Sequence, residues 1–278
     1  MTFREKVLKA ARSHGSWLCV GLDPDPQRLP VPDVARFNRA IIEATADLVC
    51  AFKPNLAFYE ALGVEGLRAL EATLKAVPSD VPTIGDAKRG DVGNSAAAYA
   101  RALFETWGFD AATVNAYGGA DALEPFLEYP QNGVFVWCRS SNPGARDFQD
   151  LALSEKADGG AGKPLYLRMA EQAHRWDKHG TVGLVVGATY PEQLADLRRR
   201  FPELLFLVPG AGAQGGDVQT ALAAGADSHG ELAIVNVSRQ VLYASSGKDF
   251  GEAARREAAS LRERMRTAVA ERHPSRAP

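Results

Sequence analysis

Pro82-Thr83-Ile84-Gly85-Asp86-Ala87-Lys88-Arg89-Gly90-Asp91 is a short apolar run that ends in two carboxylates and two cations within six residues. That density of charge is too high for a sheet interior, so a strand must stop where the charges begin. Side chains alternate along an extended strand, which predicts that Asp86 and Lys88 point the same way while Ala87 faces packed neighbours. Taken alone, the stretch fits a solvated loop equally well, with Asp91 or Asn94 capping the next helix. The rest of the chain decides between the two readings.

The same punctuation recurs on both sides. Upstream, Trp17-Leu-Cys-Val-Gly-Leu-Asp23-Pro24 and Leu48-Val-Cys-Ala-Phe-Lys53-Pro54 are strand-length apolar runs, each stopped by a charge and a proline. Downstream come Ala111 to Asn115, Gly133 to Ser141, Thr181 to Gly187, Leu204 to Val208 and Leu232 to Arg239. Helix-like segments fill intervals such as 33–46, 58–76, 95–107, 120–129 and 165–178. A leading amphipathic helix over 3–13 carries Phe3, Val7, Leu8 and Ala11, and an alanine-rich charged helix over about 251–272 closes the pattern.

Near-continuous apolar runs are what strands buried on both faces require. Eight such runs in 278 residues approach the dimensions of a (β/α)8 barrel, typically about 250 residues. A doubly wound open sheet shares the alternation of strands and helices; the count of eight favours the barrel. The expected fold is therefore α/β, a single (β/α)8 TIM barrel domain over 1–278. Its strands span about 17–240, an extra helix stands at each end, and a polar tail after 273 is expected to be disordered. Asp158-Gly-Gly-Ala-Gly-Lys163 reads as a surface loop inside that domain.

Composition narrows the partners. With 46% apolar and 24% charged residues and a net charge of −2, the chain has the balance of a soluble globular protein and no basic footprint for nucleic acid. No apolar stretch approaches the roughly 20 residues that span a bilayer, and the first residues lack the pattern of a signal peptide, so no membrane association and a cytoplasmic location are expected. Cys19, Cys50 and Cys138 each sit in an apolar run and read as core residues, with no zinc-like spacing to His. No metal is expected.

Barrel enzymes place their chemistry at the C-terminal ends of the strands. The residues there are Asp23, Lys53, Asp86 with Lys88, Asn115, Ser140 with Ser141, Pro209 to Gln214, and Ser238 with Arg239. Polar groups thus converge on one face. Pro209-Gly-Ala-Gly-Ala-Gln214-Gly-Gly offers unobstructed backbone N–H groups and an amide, and Arg239 adds a planar cation. These two segments follow the seventh and eighth runs, where barrels commonly build a phosphate site.

Taken together, Asp86-Ala-Lys88-Arg-Gly-Asp91, Gly-Leu-Asp23-Pro, Phe-Lys53-Pro-Asn, Ser141-Asn-Pro-Gly, Val208-Pro-Gly-Ala-Gly-Ala-Gln214 and Asn236-Val-Ser-Arg239 resemble orotidine 5′-phosphate decarboxylase, in particular its longer bacterial branch. The resemblance implies cofactor-free decarboxylation of orotidine 5′-monophosphate to uridine 5′-monophosphate. It implies that Lys88 stabilises and then protonates the C6 carbanion, flanked by Asp86, Asp91 and Lys53. Asp23 and Lys53 would bind ribose hydroxyls, Ser141 the pyrimidine amide edge, and Gln214 and Arg239 the phosphate, with Pro209 and Ser238 beside them. A homodimer is implied, Asp91 reaching the partner's site with Ser95 following it. Ser238 stands where many shorter members have glycine, and the segment 142–180 is longer than theirs. The alternatives are a Mg2+-dependent sugar-phosphate decarboxylase or lyase of the same superfamily, and a non-catalytic nucleotide-phosphate binder. Arg89 receives no role.

Overall fold

Strand β1 (Leu18–Leu22) is buried along its whole length and pairs in parallel on both edges. Cys19 lies opposite Ala51 of β2 (Ala51–Pro54) and opposite Asn236 of β8 (Ala233–Val237). Between them in the chain come β3 (Ile84–Arg89), β4 (Ala111–Val114), β5 (Gly133–Arg139), β6 (Val182–Val186) and β7 (Leu205–Val208). All pairings among them are parallel, in the order 2-1-8-7-6-5-4-3. The two ends of that series also meet: Phe52 N donates to Pro82 O at 3.0 Å, and parallel bridges join Phe52 to Thr83 and Asn55 to Asp86. The sheet is therefore a (β/α)8 barrel, as the eight apolar runs predict, and the open doubly wound alternative is set aside. The computed structural model describes residues 1–153, 162–212 and 216–272; the expectations for the loop at 158–161 and for the tail after 273 fall outside the described residues.

The leading helix, Phe3–His14, begins with a reciprocal cap between Thr2 and Glu5. Phe3 packs edge-on against Phe135, ring centroids 5.6 Å apart, and Lys6 Nζ reaches Asp110 at 2.7 Å. It thereby covers the N-terminal ends of β4 and β5, the end of the barrel opposite the chemistry. At the same end Arg198 is buried and donates to the carbonyls of Phe201, Pro202, Leu204, Gly225 and Leu232, while its guanidinium lies 3.8 Å over the ring of Phe206. Burial lowers its pKa to about 10, the largest effect acting on it. The closing helix, Phe250–Arg272, buries Ala254, Ala258, Leu261 and Met265, a helical stripe, and Phe250 stacks on Phe37 at 5.3 Å.

Local details depart from the sequence pattern. The segment 58–76 forms two helices, Leu56–Glu60 and Gly63–Ala76, because Gly63 takes a left-handed φ of 64° between them. The helix expected over 95–107 starts earlier, as Gly93–Arg101, and runs into one π-helical turn at Ala102–Thr106. Neither Asp91 nor Asn94 caps it: the capping position is Val92, and Asp91 Oδ1 accepts from Val92 N at 2.8 Å.

Candidate active site

Asp86 and Lys88 do meet, but strand alternation is not what brings them together. Gly85 pairs with Ala112 and Arg89 with Val114, so β3 spends four residues where β4 spends two. The excess is a bulge in which Lys88 adopts a left-handed φ of 47°, an uncommon state for a side-chain-bearing residue. Thr113 holds the bulge open. Its hydroxyl accepts from Ala87 N and Lys88 N, both at 3.0 Å, and donates to Asp86 Oδ1 at 3.0 Å. Turned back in this way, Lys88 Nζ lies 2.5 Å from Asp86 Oδ1, and Lys53 Nζ lies 2.6 Å from Oδ2. Ala87 packs half-buried against the core, as alternation expects.

One buried carboxylate thus faces two ammonium groups and a hydroxyl. Burial disfavours its charge, yet Lys53 and Lys88 outweigh that cost and hold Asp86 well below the usual carboxylate range. Burial likewise opposes the charge of Lys53, and Asp86 and Asp23 reverse the balance, so its pKa stands above the ordinary lysine value. Both stay ionised at neutral pH. Asp23 contributes a buried Oδ1 with no hydrogen-bond partner among the described residues. Its backbone is held by two tyrosines: Tyr59 OH donates to Leu22 O at 2.9 Å, and Tyr243 OH donates to Asp23 O at 3.2 Å while accepting from Asp25 N at 2.7 Å.

These groups line a cavity of about 280 Å³ at the C-terminal mouth of the barrel. Of the residues expected there, Asp23, Lys53, Asp86, Lys88, Ser141, Pro209, Ser238 and Arg239 all line it. Asp91 and Ser95 do not; both are exposed on the chain's surface beside that mouth. Gln214 lies outside the described residues. Asn115 is turned away and instead accepts from Tyr117 N at 3.0 Å. The wall also contains Asn55, Thr113, Trp137, Asn142, Asn236 and Gln240, which strand-end reading did not single out. Thr113 and Asn236 each sit one residue before the end of an apolar run, and their inward polarity is the signal that could have found them. Arg89 pairs with Glu60 and lies 5.3 Å over the ring of Tyr99, a packing role outside the cavity.

Opposite the Asp86 cluster, Arg239 presents an exposed guanidinium at the end of β8, close to Pro209, Gly210 and Ala211 after β7. Ser238 fits there because residue 21 is glycine: a Cβ at that position would stand 1.9 Å from Ser238 Oγ. Cationic groups at two ends of one small polar cavity complement a ligand that is anionic at one end and develops negative charge at the other. Residues 16–256 match the family model of the orotidine 5′-phosphate decarboxylase / HUMPS family. The chain belongs to that family.

Individual relatives agree with the family assignment. An orotidine 5′-phosphate decarboxylase of Roseiflexus sp. (strain RS-1) is 52% identical over 276 residues, covering 97% of this chain and 99% of the relative. Among solved structures, Leishmania donovani OMP decarboxylase superposes with a TM-score of 0.81 at 38% identity, over 95% of this chain and all of that one, 100%. Leishmania donovani UMP synthase superposes with a TM-score of 0.83 at 40% identity, and here the chain spans 57% of the longer protein.

Proposed function

We infer that this chain catalyses the decarboxylation of orotidine 5′-monophosphate to uridine 5′-monophosphate and CO2, a step of pyrimidine biosynthesis. Family membership over residues 16–256 carries the reaction. The observation that carries the residue roles is the clamp of Lys53 and Lys88 on Asp86 in the cavity.

The C6–carboxylate bond breaks, its electron pair stays on C6, and a proton from the Lys88 ammonium then fills that position. A vinyl carbanion has no ring carbonyl to delocalise it, so a fixed positive charge beside C6 is the chief stabilising device. Asp86 holds Lys88 in place, and Lys53 pairs with the other oxygen of the same carboxylate. Asp23 and Lys53 accept and donate to the ribose hydroxyls, Ser141 meets the pyrimidine amide edge, and Arg239, Gln214, Pro209 and Ser238 surround the phosphate. Phosphate binding far from C6 contributes to the rate by aligning the reacting end.

Both carboxylate oxygens of Asp86 are engaged by ammonium groups, which supports a reaction in which Asp86 ligates no metal. Two chains form the working unit. Asp91 is exposed outside its own cavity, and the loops after β3 and β4 carry Val92 and Tyr117, 59% and 85% exposed, a surface suited to a second copy. Three buried free thiols fit the reducing cytoplasm. The test is loss of orotidine monophosphate absorbance in excess chelator. Survival of activity supports the reading, whereas turnover only of a sugar phosphate with Mg2+ overturns it. Lys88→Ala is expected to bind uridine monophosphate and to lose turnover.

A further inference from the structure

Arg139, the last residue of β5, has a fully buried side chain, 0% exposed, two residues before Ser141. A guanidinium in that position must be satisfied by the loops around it. Its Nε donates to Gln193 Oε1 at 2.6 Å and its Nη1 to Gln149 Oε1 at 3.1 Å. Its plane lies 4.0 Å over the ring of Tyr190, and Nη2 stands 3.1 Å from Asp150 Oδ1, near enough for an ion pair though not aligned as a hydrogen bond. The partners come from two different strand-to-helix connections. Gln149 and Asp150 follow β5, while Tyr190 and Gln193 follow β6.

The contacts continue directly into the cavity wall. The same Gln149 Oε1 accepts from Ser140 N at 2.9 Å, and Thr189 Oγ1 donates to Ser141 O at 3.0 Å. Gly187 N donates to Arg139 O at 2.8 Å, and Ala188 N donates to Pro209 O at 2.9 Å. A Cβ at Gly187 would stand 2.7 Å from Ser141 Cα, so the two loops touch backbone to backbone. One buried cation thereby sets the height of Ser140 and Ser141 against the segment after β6, which in turn bonds Pro209 after β7.

We propose that Arg139, acting through Gln149, is a positioning residue that holds Ser141 at the height needed to read the base edge of the nucleotide. The inference rests on the assignment of Ser141 to the pyrimidine. Its signature is selective: contacts to the base weaken when the clamp is cut, and contacts to ribose and phosphate do not.

The test uses the full-length protein with uridine monophosphate and ribose 5-phosphate as competitive inhibitors, the second sharing everything but the base. Gln149→Ala removes the bridging acceptor at the half-buried end of the clamp, and Arg139→Lys keeps the charge without the fork. Either variant is expected to weaken inhibition by uridine monophosphate about tenfold, with inhibition by ribose 5-phosphate unchanged. In the Gln149→Ala/Ser141→Ala double variant the two losses are expected not to add, because they remove one contact. If Arg139→Lys does not fold, Gln149→Ala alone decides. Equal weakening of both inhibitors, no weakening of either, or full additivity with Ser141→Ala overturns the proposal. A Ser141→Ala protein that binds uridine monophosphate normally, while Gln149→Ala does not, instead removes Ser141 from the base and leaves a clamp acting on another residue.

Discussion

Lys53 Nζ and Asp86 Oδ2 lie 2.6 Å apart with both side chains almost wholly shielded from water. A pair of this kind gives little net stability over an apolar pair of the same size, but each member is costly without the other. Lys53→Met is therefore expected to lower the unfolding free energy by about 3–5 kcal/mol, because among the described residues Asp86 then keeps Lys88 and Thr113 as its side-chain partners. Adding Asp86→Asn to that variant is expected to restore part of the loss while leaving turnover abolished. Urea titrations of the wild type, the single variant and the double variant check both statements.

The pH dependence follows from the directions of the two shifts. The Asp86 pKa is depressed in the folded protein, so its stabilisation is present above the unfolded carboxylate value near 4 and lost as pH falls through the lower folded value. The Lys53 pKa is raised, so its stabilisation is complete below the unfolded lysine value near 10.4 and lost as pH rises through the higher folded value. The stability difference between the wild type and Lys53→Met/Asp86→Asn is thus expected to be flat from about pH 5 to 9 and to change outside that window. Chemical denaturation at a series of pH values measures it directly.

Gly21 and Ser238 occupy one space between β1 and the end of β8. Gly21→Ala forces a Cβ to within 1.9 Å of Ser238 Oγ, and overpacking of this kind costs about 1–3 kcal/mol. Gly21→Ala is expected to lower both the thermal midpoint and kcat/KM, since the strand that moves carries Asp23 and the segment that yields carries Arg239. Ser238→Gly in the same chain is expected to recover most of the midpoint. Absence of that recovery in a thermal melt removes the contact as the cause.

The barrel was legible because each strand is a near-unbroken apolar run halted by a polar residue, and eight of the expected site residues do line the cavity for the same reason. What stayed hidden depends on contacts between distant segments. Alternation puts Asp86 and Lys88 on one side, yet the structure reaches that result through a left-handed Lys88 held by Thr113, and no local pattern in β3 announces a partner on β4. Arg139 was hidden for the complementary reason. A charge at a strand end reads as a group facing the mouth, whereas its neighbours Gln149, Tyr190 and Gln193 draw it into the interior. Glu60 and Tyr99 likewise give Arg89 a structural place that its own stretch did not suggest.

At the opposite end of the barrel, Arg198 joins five carbonyls from the entries to β7 and β8 and the helix ends beside them. Arg198→Met fills similar space but removes all five of these hydrogen bonds; Leu232 O still accepts from Phe206 N and Phe201 O from Leu204 N, and loss of the guanidinium's bonds to this buried group together costs about 3 kcal/mol or more. Activity per folded molecule is expected to be unchanged, because the cluster lies away from the cavity. Denaturation curves combined with active-site titration separate the two effects.

Asp91 provides a test of the two-chain site. It is exposed and absent from its own cavity, so in the proposed dimer it acts on the partner's substrate while Lys88 acts on its own. Lys88→Ala and Asp91→Ala homodimers are each expected to be inactive. When the two variants are unfolded, mixed in equal amounts and refolded, half of the dimers are hybrids, and each hybrid has one site with both residues intact and one with neither. The mixture is expected to recover about a quarter of the wild-type activity by this counting. Sedimentation at the assay concentration establishes that dimers are present. Dimers with no recovered activity place Asp91 and Lys88 in the same chain's site, and recovery well above a quarter means that one of the variants is itself active.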